Sequence, residues 1–381
     1  MRIESFEVFA TDLPFRRVFK HSAASRGVSE SIFVKCTTDS GAIGFGECLP
    51  RVYVTGESRD SAYLLLRDRI LPRLAGIQFA SFGEVWAFLK RCDGKAPADW
   101  IAPDVPQTAA WCAVDLALLD ACGHVFSQST FGPSVTCSSY SGVLTHESKG
   151  RLAKSCLLFR LYGLRQVKVK VGRECDLAVV RMARRLLGRK ADIRVDANMS
   201  WGSEQALKAT RELSKLGVHC FEQPLPPDVR DDMARLVHQT GLEVMADESF
   251  SDGQSLRRLI ECKACTAVNV RISKCGGLVA TLRRCHQAKE AGLTVQVGCQ
   301  VGESSLLSAA QLALCSRFPE VAYLEGCFGR RLLREDPVTP VLEFGFGGRP
   351  PRIPSGTGFG VRIDEDQLRS WTVHSDQVRA C

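Results

Sequence analysis

The chain has no apolar run approaching the roughly 20 residues needed to cross a bilayer. Its opening Met1-Arg2-Ile3-Glu4 lacks the apolar core of a signal peptide. A cytoplasmic setting without a membrane partner is therefore expected. There is no low-complexity segment and no long block of one charge. The net charge is +8, but the basic residues are scattered in short clusters such as Arg181-Arg184-Arg185 and Arg330-Arg331. No recognition motif accompanies that charge, so a nucleic-acid partner is not expected. A small anionic substrate is the better use of local positive potential. Zinc-site spacing is also missing: Cys262-x-x-Cys265 has no second pair to complete it. The 17 cysteines are odd in number and dispersed, several within expected strands or helices (Cys112, Cys220, Cys299, Cys315). A disulfide framework belongs to short secreted chains, so these thiols indicate a reducing compartment.

With 381 residues, 45% hydrophobic and 24% charged, the chain is long enough for one large domain and a smaller one. Residues 2–9 and 31–38 read as strands, and Asp39-Ser40-Gly41 turns into a hairpin completed by Ala42 to Cys48. Between the first two strands, Leu13 to Val28 carries Arg16, Arg17, Lys20, His21 and Arg26 with no clear period, which predicts a mobile loop. Leu49 to Glu57 predicts a second loop. Residues 58–75, 82–92 and 106–125 read as helices, joined across a Pro- and Asp-rich surface connection at 96–105. The helix at 106–125 is apolar on nearly all sides and should be deeply buried. Strands followed by helices, without alternation, indicate an α+β unit.

From Lys168 onward the pattern changes. Lys168-Val169-Lys170, Asp196-Ala197-Asn198, Glu222-Gln223-Pro224, Ala246-Asp247-Glu248 and Lys274-Cys275-Gly276-Gly277 follow short apolar runs. From Lys170 through Asp196, Glu222 and Asp247 to Lys274 they recur every 25 to 27 residues, each before a helix-like segment. A strand-plus-helix unit of that length builds an eight-stranded α/β barrel, which gathers its chemistry at the C-terminal strand ends. Strand one is expected at Ser139 to Val143, strand seven at Thr294 to Gly298 and strand eight at Val321 to Leu324. The tail beyond, Gly- and Pro-rich from Phe344 to Gly360, is expected to pack back on the first unit.

Asp196, Glu222 and Asp247 offer hard oxygen ligands suited to Mg²⁺, with Mn²⁺ as the alternative; no Cys or His joins them for zinc. Three converging carboxylates without a cation would repel one another. Lys168 and Lys170 share one face of a strand, and an inward lysine in a barrel is costly without a charge partner. Lys170 and Lys274 are the candidate proton carriers. Lys168, one layer deeper, is the expected tuning charge. Gly276 and Gly277 allow close approach of backbone or ligand beside Lys274. Asn198 and Glu248 are candidates for orienting ligands or lysines. Arg51 and Tyr53, beside a Pro-bounded turn, are candidates for facing substrate. Glu303 either binds substrate or caps a helix, and Arg271 is either a barrel cation or half of an ion pair.

Five such motifs in this order resemble the enolase superfamily, in its muconate-lactonising subgroup, over nearly the whole chain. The resemblance implies a (β/α)7β modified TIM barrel at 131–326. An α+β capping domain at 1–130 would cover its mouth, with the tail at 327–381 completing the cap. It implies that segments 14–28 and 50–56 close over the substrate, and that a bound metal stabilises the enolate of a small carboxylate substrate. By analogy it implies a homo-oligomer. The same enolate leads to racemisation or epimerisation of an amino-acid or dipeptide derivative when both lysines exchange protons. It leads to muconate-type cycloisomerisation or succinylbenzoate-synthase-like dehydration when one acts only as a cation. A barrel that only binds is the reading from another class. One departure stands out: dipeptide epimerases of the family commonly carry Asp-x-Asp at strand eight for the substrate ammonium, where this chain has Tyr323 and Glu325; Glu325 is then the candidate to pair with an ammonium.

Overall fold

A computed structural model describes residues 1–21, 24–133, 138–145, 148–172 and 177–379. The chain opens with three antiparallel strands, β1 (Ile3–His21), β2 (Ala24–Thr38) and β3 (Ile43–Cys48). Along β1 the side chains of Phe6, Val8 and Ala10 and those of Phe9 and Leu13 are all buried, so both faces of its first half are covered. Helices α1 (Val52–Thr55), α2 (Arg59–Leu65), α3 (Leu71–Leu74), α4 (Phe82–Cys92) and α5 (Thr108–Val125) follow, with one wide π turn at Leu66–Ile70 joining α2 to α3.

Helix α5 is the core of this unit. By length and hydropathy it would pass for a membrane span, yet 89% of it is buried inside the protein. Its neighbours explain how it fits. A Cβ on Gly44 would lie 2.0 Å from the Ala121 nitrogen, and one on Gly46 only 1.9 Å from the Ala113 carbonyl. The backbone of β3 therefore lies directly on the backbone of α5, which only glycine permits.

The barrel strands are β4 (Gly142–Leu144), β5 (Gln166–Lys170), β6 (Asp192–Asp196), β7 (Cys220–Glu222), β8 (Glu243–Ala246), β9 (Ala267–Val270), β10 (Thr294–Val297) and β11 (Tyr323–Leu324). They pair in sequence order, all parallel. The cylinder closes through a parallel bridge from Tyr140 to Leu324 and a 2.7 Å bond from Ser141 N–H to the Leu324 carbonyl. The intervening helices are α6 (Lys149–Leu161), α7 (Leu177–Leu187), α8 (Ser203–Ser214), α9 (Arg230–Thr240), α10 (Gly253–Glu261), the short α11 (Ile272–Cys275) with α12 (Leu278–Glu290), and α13 (Ser305–Arg317). This is the expected modified TIM barrel. The tail adds β12 (Val338–Thr339), β13 (Arg362–Ile363), α14 (Glu365–Ser370) and β14 (Thr372–Arg379). β14 pairs antiparallel with β1, as the fourth strand of the opening sheet.

Three expectations change. In the segment from Leu13 to Val28, the described residues 13–21 and 24–28 are not a loop but the outer part of the paired β1 and β2, with Phe19 opposite Arg26 and Lys20 opposite Ser25. A two-stranded ribbon satisfies its backbone within itself, so its side chains need no apolar alternation. The side chains of Lys20, His21 and Arg26 lie outside the described residues; Arg16 and Arg17 are exposed. Where register slips between Pro14 and Phe19, β1 turns to another partner: Arg16 N–H bonds the Leu332 carbonyl (2.9 Å) and Arg334 N–H the Pro14 carbonyl (2.8 Å). The second expected loop contains α1, ended by Gly56 at φ 77°. Strands one and eight are shorter than expected.

Buried acids join the opening unit to the barrel by capping helix N-termini, where free N–H groups and the helix dipole favour an oxygen acceptor. Asp115 on α5 accepts from Leu278 N–H at the start of α12 (2.7 Å). Glu47 on β3 accepts from the Ser304 N–H (3.1 Å) and hydroxyl at the start of α13. Burial pushes the Asp115 carboxyl up to about 8. A carboxyl raised in the folded state favours folding most when protonated. Its contribution is full below about 4 and is lost as pH rises through about 8. The melting temperature of the wild type should therefore fall relative to Asp115→Asn between pH 5 and pH 8; parallel pH profiles would contradict the assignment.

Candidate active site

Strand geometry decides which side chains meet. Lys170 ends β5, Asp196 ends β6, Glu222 ends β7, and Asp247 follows β8 directly. Register places Lys170 opposite Asp196 and Asp196 opposite Glu222. Lys274 lies in α11, just after β9. In an eight-stranded cylinder β5 and β9 are four strands apart, so the two lysines rise from opposite walls. Asp196, Glu222, Asp247 and Lys274 are all buried, at 0 to 1% exposure.

One layer down, Lys168 is bonded to three carboxylates: Glu325 at 2.6 Å, Glu222 at 3.1 Å and Asp196 at 3.4 Å. Burial opposes its charge, but Glu222, Glu325 and Asp196 outweigh it and hold the ammonium firmly protonated. Burial alone would likewise raise Glu222, yet Lys168 and Lys170 draw it down to about 2. Asn269 (2.9 Å) and Gln296 (3.2 Å) donate to the same carboxylate.

At the rim, Lys170 donates to Asp196 and to Asn198, each at 2.6 Å. Asn198 in turn donates to Glu248 (3.0 Å), whose other oxygen is buried without a partner among the described residues; burial, then Asp196, pushes this carboxyl up. Lys274 donates to the Asp247 carboxylate (2.9 Å) and to the Asp247 and Asn269 carbonyls (2.8 and 2.6 Å), with its ammonium 4.2 Å from the Phe250 ring centre. Burial pushes Lys274 down to about 7, and Arg271 adds repulsion in the same direction. Arg271 is resolved as an ion-pair partner of Asp247 that also bonds Gln300 (2.9 Å). With ammonium and guanidinium groups seated on the acids, no three His, Cys, Asp or Glu side chains among the described residues stand ready to hold an ion.

A cavity of about 220 Å³ opens above this network; Lys170, Asn198, Glu248, Arg271 and Tyr53 line it. Other expected residues go elsewhere. Arg51 is buried and donates to the carbonyls of Glu30, Pro50 and Val301, clasping the opening unit to the barrel rather than lining the cavity. Glu303 neither lines the cavity nor caps α13; it accepts from Gln300 N–H (2.6 Å) within its own turn, while Ser304 is the cap. Glu325 borders the cavity, but Lys168 and Arg194 (3.0 Å) neutralise it, so it is not available to a substrate ammonium.

Sequence reasoning missed Arg194, fully buried in β6, although it sits two residues before Asp196 and so shares its face. It also gave Gln223 no role. Gln223 has φ 36°, and its side-chain oxygen accepts from Asp247 N–H (2.9 Å) and Ser249 N–H (3.1 Å) while its amide donates to Leu225 and Ser249. That brace fixes Asp247. Gln223→Ala leaves one buried and one half-buried N–H group unmet and should cost about 1–3 kcal/mol in chemical denaturation. A loss under about 0.5 kcal/mol, the scale of surface substitutions, would show the brace to be dispensable.

A closed parallel barrel with acids on adjacent strand ends, amines on opposite walls and an α+β cap is the build of enzymes that acidify a C–H beside a carboxylate. The chain belongs to the enolase superfamily, in its muconate-lactonising subgroup. Residues 5–131 match the "Mandelate racemase / muconate lactonizing enzyme, N-terminal domain" and residues 151–367 the "Enolase C-terminal domain-like" family. It is similar to an N-succinyl-L-Arg/Lys racemase of Bacillus cereus, 30% identical with 100% of both chains covered. The crystal structure of N-succinyl Arg/Lys racemase from that organism matches with a TM-score of 0.88 at 29% identity, again over 100% of both chains. It is also similar to a chloromuconate cycloisomerase of Delftia acidovorans, at 25% identity over 98% of this chain and 99% of the relative. A dipeptide epimerase from Cytophaga hutchinsonii, complexed with Mg and D-Ala-L-Val, shares the fold with a TM-score of 0.86 at 23% identity over 100% of both chains.

Proposed function

We propose that the protein racemises N-acylated amino acids by removing and returning the proton beside the substrate carboxylate. The observation that carries this reading is the placement of Lys170 and Lys274 on opposite walls, where each can serve one face of the same carbon. The N-acyl class rests on Glu325: with its charge held by Lys168 and Arg194, the counter-ion for a free dipeptide ammonium is missing at strand eight. The N-succinyl substrate in the name of the Bacillus cereus relative belongs to the same class.

The donors fit a divalent ion. Asp196, Glu222 and Asp247 supply hard oxygens from neighbouring strand ends, and Glu248, one oxygen of which has no hydrogen-bond partner among the described residues, interacts with Asp196 and Glu222. Mg²⁺, or Mn²⁺ in its place, held by those three carboxylates would lend the substrate carboxylate the positive charge that makes the adjacent proton acidic. Lys274, at about 7, is poised to be unprotonated near neutrality and to accept that proton. Lys170 carries a proton held between Asp196 and Asn198 and delivers it to the other face. In the reverse direction the roles exchange. Lys168 stays charged and moves no proton; it draws the Glu222 carboxyl down and pairs with Asp196.

We divide the chain into a cap at 1–130, a barrel at 131–326 and a tail at 327–381. The pairing of β14 with β1 supports a tail that returns to the cap. A homo-oligomer is supported by exposed Leu157, Leu158 and Leu161 on α6 and by exposed Phe346. A cytoplasmic location is supported by the free thiols of every described cysteine.

Lys170→Ala and Lys274→Ala should each lower racemisation by about 10³-fold, within the usual range for a positioned acid or base. In D₂O each variant should still exchange the α-proton of one enantiomer, opposite for the two. Racemisation by either variant at the wild-type rate would remove the two-base assignment. Turnover of muconate, but not of N-acyl amino acids, would favour cycloisomerisation. Asp247→Asn should abolish calorimetric Mg²⁺ binding with an unchanged circular dichroism spectrum.

A further inference from the structure

The two lysines assigned as proton carriers are held by different parts of the chain. Lys170 ends β5, a strand paired on one side with β4 and on the other with β6, so the barrel ladder itself sets its backbone. Lys274 sits in α11, a single turn of four residues. One turn has too few internal hydrogen bonds to fix its own conformation. Its place is set from outside, by the opening unit. The Ser273 hydroxyl, fully buried, accepts from the Leu49 N–H (2.9 Å). Gly276 lies on Gly94: a Cβ on Gly276 would come 2.3 Å from the Gly94 carbonyl oxygen. Asp115 of α5 packs against Gly277, where a Cβ would lie 2.3 Å from its side chain, and it accepts from Leu278 N–H (2.7 Å). Ion pairs from Lys95 to Asp252 (2.8 Å) and from Asp93 to Arg283 (3.2 Å) and Arg284 pin the turn at Gly94 to the barrel.

We propose that Ser273 is a positioning residue for Lys274, through which the opening unit sets the geometry of one base and not of the other. The inference rests on the two-lysine reading and deepens it. Leu49 follows β3 directly and opens the segment that brings Tyr53 to the cavity. Its N–H on Ser273 therefore ties a wall of the cavity to the residue before the base. A misplacement of about 1 Å in a reacting group is enough to cost about 100-fold in rate. Loss of the Leu49 bond loosens the turn that carries Lys274, while the register of Lys170 opposite Asp196 is untouched. Ser273 is fully buried and does not line the cavity, so it acts through its neighbour and not on the substrate.

The test follows loss of the α-proton in D₂O from N-succinyl-L-lysine and, separately, from N-succinyl-D-lysine, with Mg²⁺-loaded wild type, Ser273→Ala and Ser273→Cys. Lys170→Ala identifies which enantiomer presents its proton to Lys274. For that enantiomer, Ser273→Ala should slow proton loss by about 10- to 100-fold, in kcat rather than KM. For the other, the change should stay within about threefold, because Lys170 keeps its geometry. Ser273→Cys, whose sulfur is a weaker acceptor at the same place, should fall between wild type and Ser273→Ala. An equal fall for both enantiomers, which a general loss of folded enzyme would give, or no fall for either, would overturn the proposal. If wild type exchanges neither enantiomer, the two-lysine reading fails, and hydrogen exchange of the metal-free protein still reads the clamp. Ser273→Ala should then speed amide exchange across 272–278 by about tenfold and leave 166–170 as in the wild type. Exchange at 272–278 that stays at the wild-type rate would show that Ser273 does not hold the turn.

Discussion

The ammonium of Lys168 is the charge on which the barrel interior depends. It meets carboxylates from β6, from β7 and from the end of β11, so one point charge draws distant parts of the cylinder toward its axis. Removing either side of such a contact would strand a buried ion, the costly case for interior charge. Arg194, Asn269 and Gln296 extend the same layer. A polar barrel interior is therefore tolerated here because its charges are paired, even though Arg194 Nε and Nη1, Asn269 Oδ1 and Gln296 Oε1 have no hydrogen-bond partner among the described residues.

At the rim, Lys170 and Lys274 sit on two of the carboxylates proposed to hold the dication, Asp196 and Asp247. On that proposal the same oxygens would serve the metal when it is bound, and both amines would then be free to face the cavity. Gln223 and Asn198 contribute by fixing where Asp247 and Lys170 stand.

The barrel and its rim were legible in the sequence because each strand ends on the residue that matters. The recurrence from Lys170 to Lys274 reports strand-plus-helix length directly. Arg194 was legible in principle through its two-residue offset from Asp196, but it lies outside the recurring motifs at the strand ends. The outer hairpin was not legible: a ribbon that bonds to itself imposes no hydrophobic period. Arg51 and Glu303 were misplaced for a related reason. Chain position near a turn says nothing about whether a side chain points into a cavity or back onto carbonyls. Glu325 could be located but not interpreted, since its two cations come from β5 and β6, far off in sequence.

The pairing of β14 with β1 matters also while the chain is being made. Ser5 lies opposite Arg379, so one edge of the first strand has no partner until β14, at Thr372–Arg379, has been made. The eight barrel strands and the helix backbone under Gly44 and Gly46 are all synthesised in the interval. An open strand edge of that duration invites pairing with other nascent chains. The nascent chain can therefore assemble its cylinder while the opening sheet still lacks its border strand.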